Sequence, residues 1–214
     1  MLYFYLNMGE TNLYQPLTTT DKVTVVLYRT GIVLSSMVIG LLGFLTYENL
    51  YAQDRIPPVL QSNFTLTVLL FLLYFSIGLS VFFIHLYVGK LYRFLKRIYY
   101  LAAVCLAALV ILGNGNPVLL LFSKPAYSAL LLVPAAFCLG FVTAKEAFCF
   151  RLYEGYILFA LLPLYCLFYG MGAFTQKSAL LSLMVIAVML VFFMLRKVFM
   201  PLHYDIGDKS AYMP

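Results

Sequence analysis

Phe64–Gly89 reads FTLTVLLFLLYFSIGLSVFFIHLYVG, 26 residues without an Asp, Glu, Lys or Arg, and KLYRFLKR (Lys90–Arg97) follows at once. A hydrocarbon core of about 30 Å is crossed by roughly 20 apolar residues in a helix, so this stretch is long enough to span a bilayer. Its apolar residues do not alternate with a period of two, which excludes a membrane β-strand. The abrupt change to Lys90, Arg93, Lys96 and Arg97 marks a membrane boundary.

Outward from this stretch, Thr30–Tyr47, Ile98–Leu112, Ala126–Ala144, Gly155–Gln176 and Ser178–Leu195 are uncharged runs of similar character. The run from Ile98 is short. However, Leu91, Phe94, Leu95 and Ile98 fall at i, i+3, i+4 and i+7, so its helix starts near Leu91, with Lys96 and Arg97 snorkelling to the head groups. The sequence therefore predicts an all-α fold. It is a polytopic membrane helical bundle with six transmembrane helices, at about 24–47, 64–89, 91–112, 126–144, 155–176 and 178–199, in one membrane domain covering 1–214.

Composition agrees with this reading. Of 214 residues, 64% are hydrophobic and 10% charged, whereas soluble domains carry about 25% charged residues. Such a chain cannot cover a water-facing surface, which excludes a soluble enzyme, a disordered regulator and a nucleic-acid binder. Six spans place both termini on one side. On that side fall Lys22, Arg29, Lys90, Arg93, Lys96, Arg97, Lys145, Arg151, Arg196, Lys197 and Lys209, against Arg55, Lys124 and Lys177 opposite. Eleven cations against three is a positive-inside bias that makes both termini cytoplasmic, or stromal in a chloroplast-type membrane. Met1–Tyr14 lacks the features of a signal peptide and reads as a short tail. Thr18–Asp21 reads as a helix cap.

Few residues offer chemistry. Gly113-Asn-Gly-Asn-Pro117 predicts a turn, and Val118–Phe122 after it is either an interfacial loop or, at 117–122, a half-helix re-entering the membrane. Thr143–Gly155 is the densest mixture of charge, aromatics and thiol. In it Lys145, Glu146, Cys149, Arg151 and Glu154 form a candidate functional loop. With continued helical geometry, Ala147 and Arg151, and Phe150 and Glu154, stand one turn apart, and the four charges close a hairpin by pairing with one another. Glu146 and Glu154 are alternatively proton carriers, because a carboxylate near lipid is costly unless paired. His85 is a histidine inside a span and a candidate proton or ligand group. Lys90, Arg93, Lys96 and Arg97 form a basic patch facing lipid or a partner.

No zinc-site spacing links His85, His203, Cys149, Asp205 and Glu146, so no metal is expected. Cys105, Cys138 and Cys166 read as small buried hydrophobes, and Cys149 as an acylation candidate. Ala136, Gly140 and Ala144, and likewise Ser36, Gly40 and Gly43, mark small-residue packing faces. Tyrosines near span ends (Tyr47, Tyr51, Tyr87, Tyr92, Tyr99, Tyr100, Tyr153, Tyr156) predict an interfacial belt. No metalloprotease, nucleophile-elbow, phosphate-loop or dinucleotide motif is present, and no cofactor is expected.

Lys145-Glu146-Ala147-Phe148-Cys149-Phe150, followed by Tyr153 and Glu154, resembles a family of uncharacterised integral membrane proteins found mainly in cyanobacteria, with relatives in chloroplasts. The resemblance implies a bacterial plasma membrane or thylakoid setting and brings no established activity. Together these readings favour a non-catalytic accessory, assembly or scaffold subunit of a membrane complex over a small-solute or proton-coupled transporter or channel. A membrane-embedded enzyme ranks third. The expected partners are the lipid bilayer and another membrane protein or a second copy of the chain.

Overall fold

The computed structural model describes residues 17–51, 63–86 and 88–206. The tail Met1–Tyr14, Arg55 and Lys209 lie outside the described residues, as do the side chains of Tyr47, Tyr51 and Tyr87. All regular structure among the described residues is helical.

Helix α1 runs Thr19–Tyr51, α2 Asn63–Phe83 and α3 Gly89–Leu112. The short helices α4, Pro117–Ser123, and α5, Pro125–Ser128, lead through a 3₁₀ turn, Ala129–Leu132, into α6, Val133–Phe150. Helix α7 is Glu154–Gly170, α8 Gln176–Val198 and α9 His203–Ile206.

Local chemistry accounts for many of these boundaries. The Thr18 amide donates to Asp21 Oδ2 at 2.9 Å and the Asp21 amide to Thr18 Oγ1 at 3.2 Å, a reciprocal cap that starts α1 as expected. Thr175 Oγ1 accepts from the Ser178 amide at 3.2 Å and caps α8. Helix α3 stops at Asn114 and Gly115, both at positive φ, which makes the expected turn. Prolines open α4 and α5, where a missing amide costs nothing.

Among the described residues, five helical stretches are long and apolar enough to cross a membrane: Thr19–Leu45, Asn63–Phe83, Gly89–Leu112, Pro125–Phe150 and Lys177–Val198. The sixth expected span corresponds to α7, which has 17 residues and an internal Pro163. At 1.5 Å per residue it is about 25 Å long, shorter than the hydrocarbon thickness.

Helix α1 is the hub and packs against α2 and α8. Helices α6 and α7 form a hairpin joined to this trio through α2 and α8, and α3 lies outside against α2 and α6. Lipid tails are as apolar as leucine, so close backbone approach rather than burial from water favours such contacts. Both small-residue faces pack inside the bundle as expected. A Cβ on Gly40 would stand 3.0 Å from Val191 Cγ2 of α8, and one on Gly140 3.1 Å from Phe159 Cα of α7. The tyrosine belt needs correction. Tyr100, Tyr153 and Tyr156 are exposed, but Tyr92 donates to the Phe82 carbonyl at 2.7 Å and Tyr99 to the Tyr74 carbonyl at 3.0 Å, pinning α3 to α2. The phenols turn inward because main-chain carbonyls there accept their protons.

Candidate functional site

The start of α1, the ends of α2, α6 and α8, the starts of α3 and α7, and α9 meet at one end of the bundle. That is where most of the charge lies. Helix α6 continues through residues 145–150, so Lys145 and Glu146 are helical residues rather than loop residues, and Glu146 is fully buried. Its Oε1 accepts from Tyr28 Oη of α1 at 2.6 Å and from Lys145 Nζ at 2.7 Å. Its Oε2 pairs with Lys197 of α8, also fully buried, and Lys197 pairs in turn with Asp205 of α9. The other Asp205 oxygen accepts from Arg29 Nε of α1 at 2.6 Å. Lys197 Nζ also stands 3.8 Å from the Phe150 ring centroid, a cation–π contact.

Arg29, Lys145 and Lys197 thus share two carboxylates, an excess of one positive charge. The end of α8 offsets it. Arg29 also donates to the carbonyls of Val198 at 3.1 Å, Met200 and Pro201 at 3.0 Å, where the negative pole of that helix lies. Isolated, any of these ions would be very costly out of water. Together they form a closed network tying α1, α6, α8 and α9 to one another. Both carboxylates offered by the sequence as metal ligands are taken by ammonium and guanidinium groups.

The expected pairing within residues 145–154 is corrected. Arg151 adopts a left-handed conformation, φ 56°, and ends α6. Helical geometry therefore does not continue past Arg151, and Glu154 is not one turn beyond Phe150. Glu154 instead binds Arg196 of α8 through both oxygens, at 2.7 and 2.8 Å, a surface pair of small energetic value. Arg151 is exposed and makes no ion pair with a described residue. Cys149 is exposed beside it, while Cys138 and Cys166 are buried.

His85 lies past the end of α2 rather than within it, the helix having stopped at Phe83. The Thr24 hydroxyl donates to the Thr20 or Asp21 carbonyl, both at 3.0 Å. Thr24 Oγ1 also stands 3.4 Å from His85 Nε2, and His85 Nδ1 is buried with no partner among the described residues. Thr24, His85, Phe82 and Tyr92 border an open cleft of about 290 Å³. Burial, and next the Lys145 charge, pull the His85 pKa below its ordinary 6.5, against the opposing pull of Asp205, Asp21 and Glu146. The unfolded chain then binds the proton more readily than the folded one. Stability is indifferent to this group above about pH 6.5 and falls as pH drops from there toward the folded pKa. In detergent, the melting temperature of His85→Gln should fall less between about pH 7 and 5 than that of the wild type. Parallel curves would remove His85 from the account.

The basic patch divides. Lys90, Arg93 and Arg97 are exposed, whereas Lys96 Nζ folds back to 4.2 Å from the Tyr92 ring and 5.4 Å from the Phe82 ring. Sequence reasoning missed Tyr28 altogether, read Arg29 and Lys197 only as charges that orient spans, and weighed Asp205 only as a metal ligand. No signal set Arg29 apart, because it directly precedes the uncharged run Thr30–Tyr47, where a flanking charge belongs.

No curated protein and no solved structure matches the chain. Residues 79–213, well over half of it, match a family described as uncharacterized integral membrane protein (DUF2301). The match runs from the end of α2 through α9, and so includes His85, Glu146, Lys197 and Asp205. The chain belongs to the DUF2301 family of integral membrane proteins.

Proposed function

We propose that the chain is a six-span, non-catalytic accessory, assembly or scaffold subunit of a membrane complex, in a bacterial plasma membrane or thylakoid, with both termini cytoplasmic or stromal. One observation carries the reading. The charged groups inside the bundle pair with one another, while an exposed rim surrounds them at the same end: Phe148 (80% exposed), Tyr153 (69%), Phe199 (83%) and Arg151. Aromatic residues and arginine on a rigid base are the side chains that dominate protein–protein contacts.

The gathering of basic residues at this end supports the orientation. Helix α7 completes the count of six if the bilayer thins locally or its flanks snorkel, a modest cost per ångström. The cyanobacterial and chloroplast setting rests on the KEAFCF resemblance at 145–150.

The test is gentle-detergent purification followed by native mass spectrometry. An assembly of defined mass containing another protein is expected. Arg151→Glu should lower its yield at least tenfold while membrane insertion stays normal. A bare monomer or homo-oligomer from wild-type membranes would overturn the proposal in favour of transport, with 117–122 re-entrant and His85 and Glu154 at the exit.

A further inference from the structure

Helix α3 buries a single seam, Leu95, Ala102 and Leu109, at a spacing of seven. Its opposite surface is unpartnered. At 100° per residue, Lys90, Arg93, Arg97, Leu101, Val104 and Ile111 fall within one stripe about 80° wide, bordered by Phe94, whose ring meets that of Phe137 of α6 edge-on at 6.5 Å. Leu101, Val104 and Ile111 are 53–73% exposed. The stripe is graded along its length. The three cations occupy the first two turns, about 10 Å, and beyond Arg97 only apolar side chains follow for about 20 Å.

No described carboxylate pairs with any of the three cations, and the first turn of α3 holds no acid. No side chain caps that turn, and a Cβ on Gly89 would meet nothing within 4 Å. Uncapped first-turn amides and the positive pole of a helix favour an anion, and guanidinium groups bind phosphate through two parallel hydrogen bonds. Phosphate alone leaves the apolar two-thirds of the stripe uncovered. A protein partner's acidic patch does the same unless it enters the bilayer.

We propose that the outer face of α3 binds an anionic glycerophospholipid. Its phosphate is held by Lys90, Arg93, Arg97 and the open start of the helix, and its acyl chains lie along Leu101, Val104 and Ile111. Lys96 takes no part, being turned onto the Tyr92 and Phe82 rings. This assignment does not depend on the accessory-subunit reading, because the isolated chain is enough to test it.

The full chain, exchanged into nanodiscs of mixed phosphatidylglycerol and phosphatidylcholine, is released for native mass spectrometry and its retained lipid identified. Phosphatidylglycerol should be retained at least tenfold over its share of the bilayer. The preference should weaken as salt rises, and it should survive millimolar glycerol phosphate. The triple variant Lys90→Gln, Arg93→Gln, Arg97→Gln should lose it, whereas Lys124→Gln, Lys177→Gln, altered at the other end, should keep it. Because removing three cations can invert topology, Arg93→Lys, Arg97→Lys supplies a second reading at unchanged charge. Losing the two-pronged contacts should weaken retention several-fold. Retention in proportion to bilayer composition, unchanged preference in a correctly inserted triple variant or in the lysine variant, displacement by glycerol phosphate, or an acidic protein held in place of lipid would each overturn the proposal.

Discussion

Lys197→Met should be among the most destabilising single changes in this chain. It leaves the facing oxygens of Glu146 and Asp205 buried without their shared cation; removing one partner of a buried ion pair costs about 3–5 kcal/mol, and the lower end applies because Lys145 and Arg29 still hold the two carboxylates. The chain has no tryptophan, so unfolding is best followed with a thiol-reactive dye that reports exposure of Cys138 and Cys166, both buried in the folded state. The expected result is a melting temperature lowered by several degrees or more. Glu146→Gln alone should also destabilise, and the double variant should lose less than the two single losses combined, because each change removes what the other leaves unpaired. Additive losses would mean that Glu146 and Lys197 act independently.

Gly31→Ala should separate α1 from α2. A Cβ there would stand 2.6 Å from both the Ser76 carbonyl oxygen and the Ser80 amide nitrogen. Both are main-chain atoms, so no rotamer change relieves the clash and the helices must move apart. Overpacking ordinarily costs about 1–3 kcal/mol, and the upper end applies because α1 is the hub. Gly89→Ala is the control: its Cβ meets nothing within 4 Å, and its melting temperature should match the wild type or exceed it slightly. Equal stability of the two variants would show that the α1–α2 crossing tolerates extra distance.

The elements legible in the sequence are those set by local physics. Uncharged runs became helices, the Thr18–Asp21 pair capped α1, the Gly113–Pro117 punctuation broke the chain after α3, and small-residue spacings marked helix crossings. The ionic network was not legible, because its partners are remote. Tyr28 and Glu146 are 118 residues apart, and Arg29 and Asp205 are 176 apart. A rule of neighbours three or four residues apart seeks partners for Glu146 and Glu154 close by in the chain. It offers Glu154 only Arg151 and misses Arg196, and it offers Glu146 neither Lys197 nor the adjacent Lys145. Arg29 and Lys197 had a sufficient explanation as flanking charges that orient spans, and nothing in one sequence separates a cation that orients a helix from one that also turns inward. The left-handed Arg151 broke the last local inference. A non-glycine residue there carries no compositional warning.

The span from Arg29 to Asp205 also has a meaning in time. At translation rates of about 5–20 residues per second, Arg29 enters the membrane roughly 10–35 s before its carboxylate partner is made. Through that interval its guanidinium must be satisfied by water or lipid phosphate. The ionic network therefore cannot close before Asp205 has been made. A chain released before Asp205 keeps an unpaired arginine in α1, open to whatever surveys membrane proteins for incomplete synthesis.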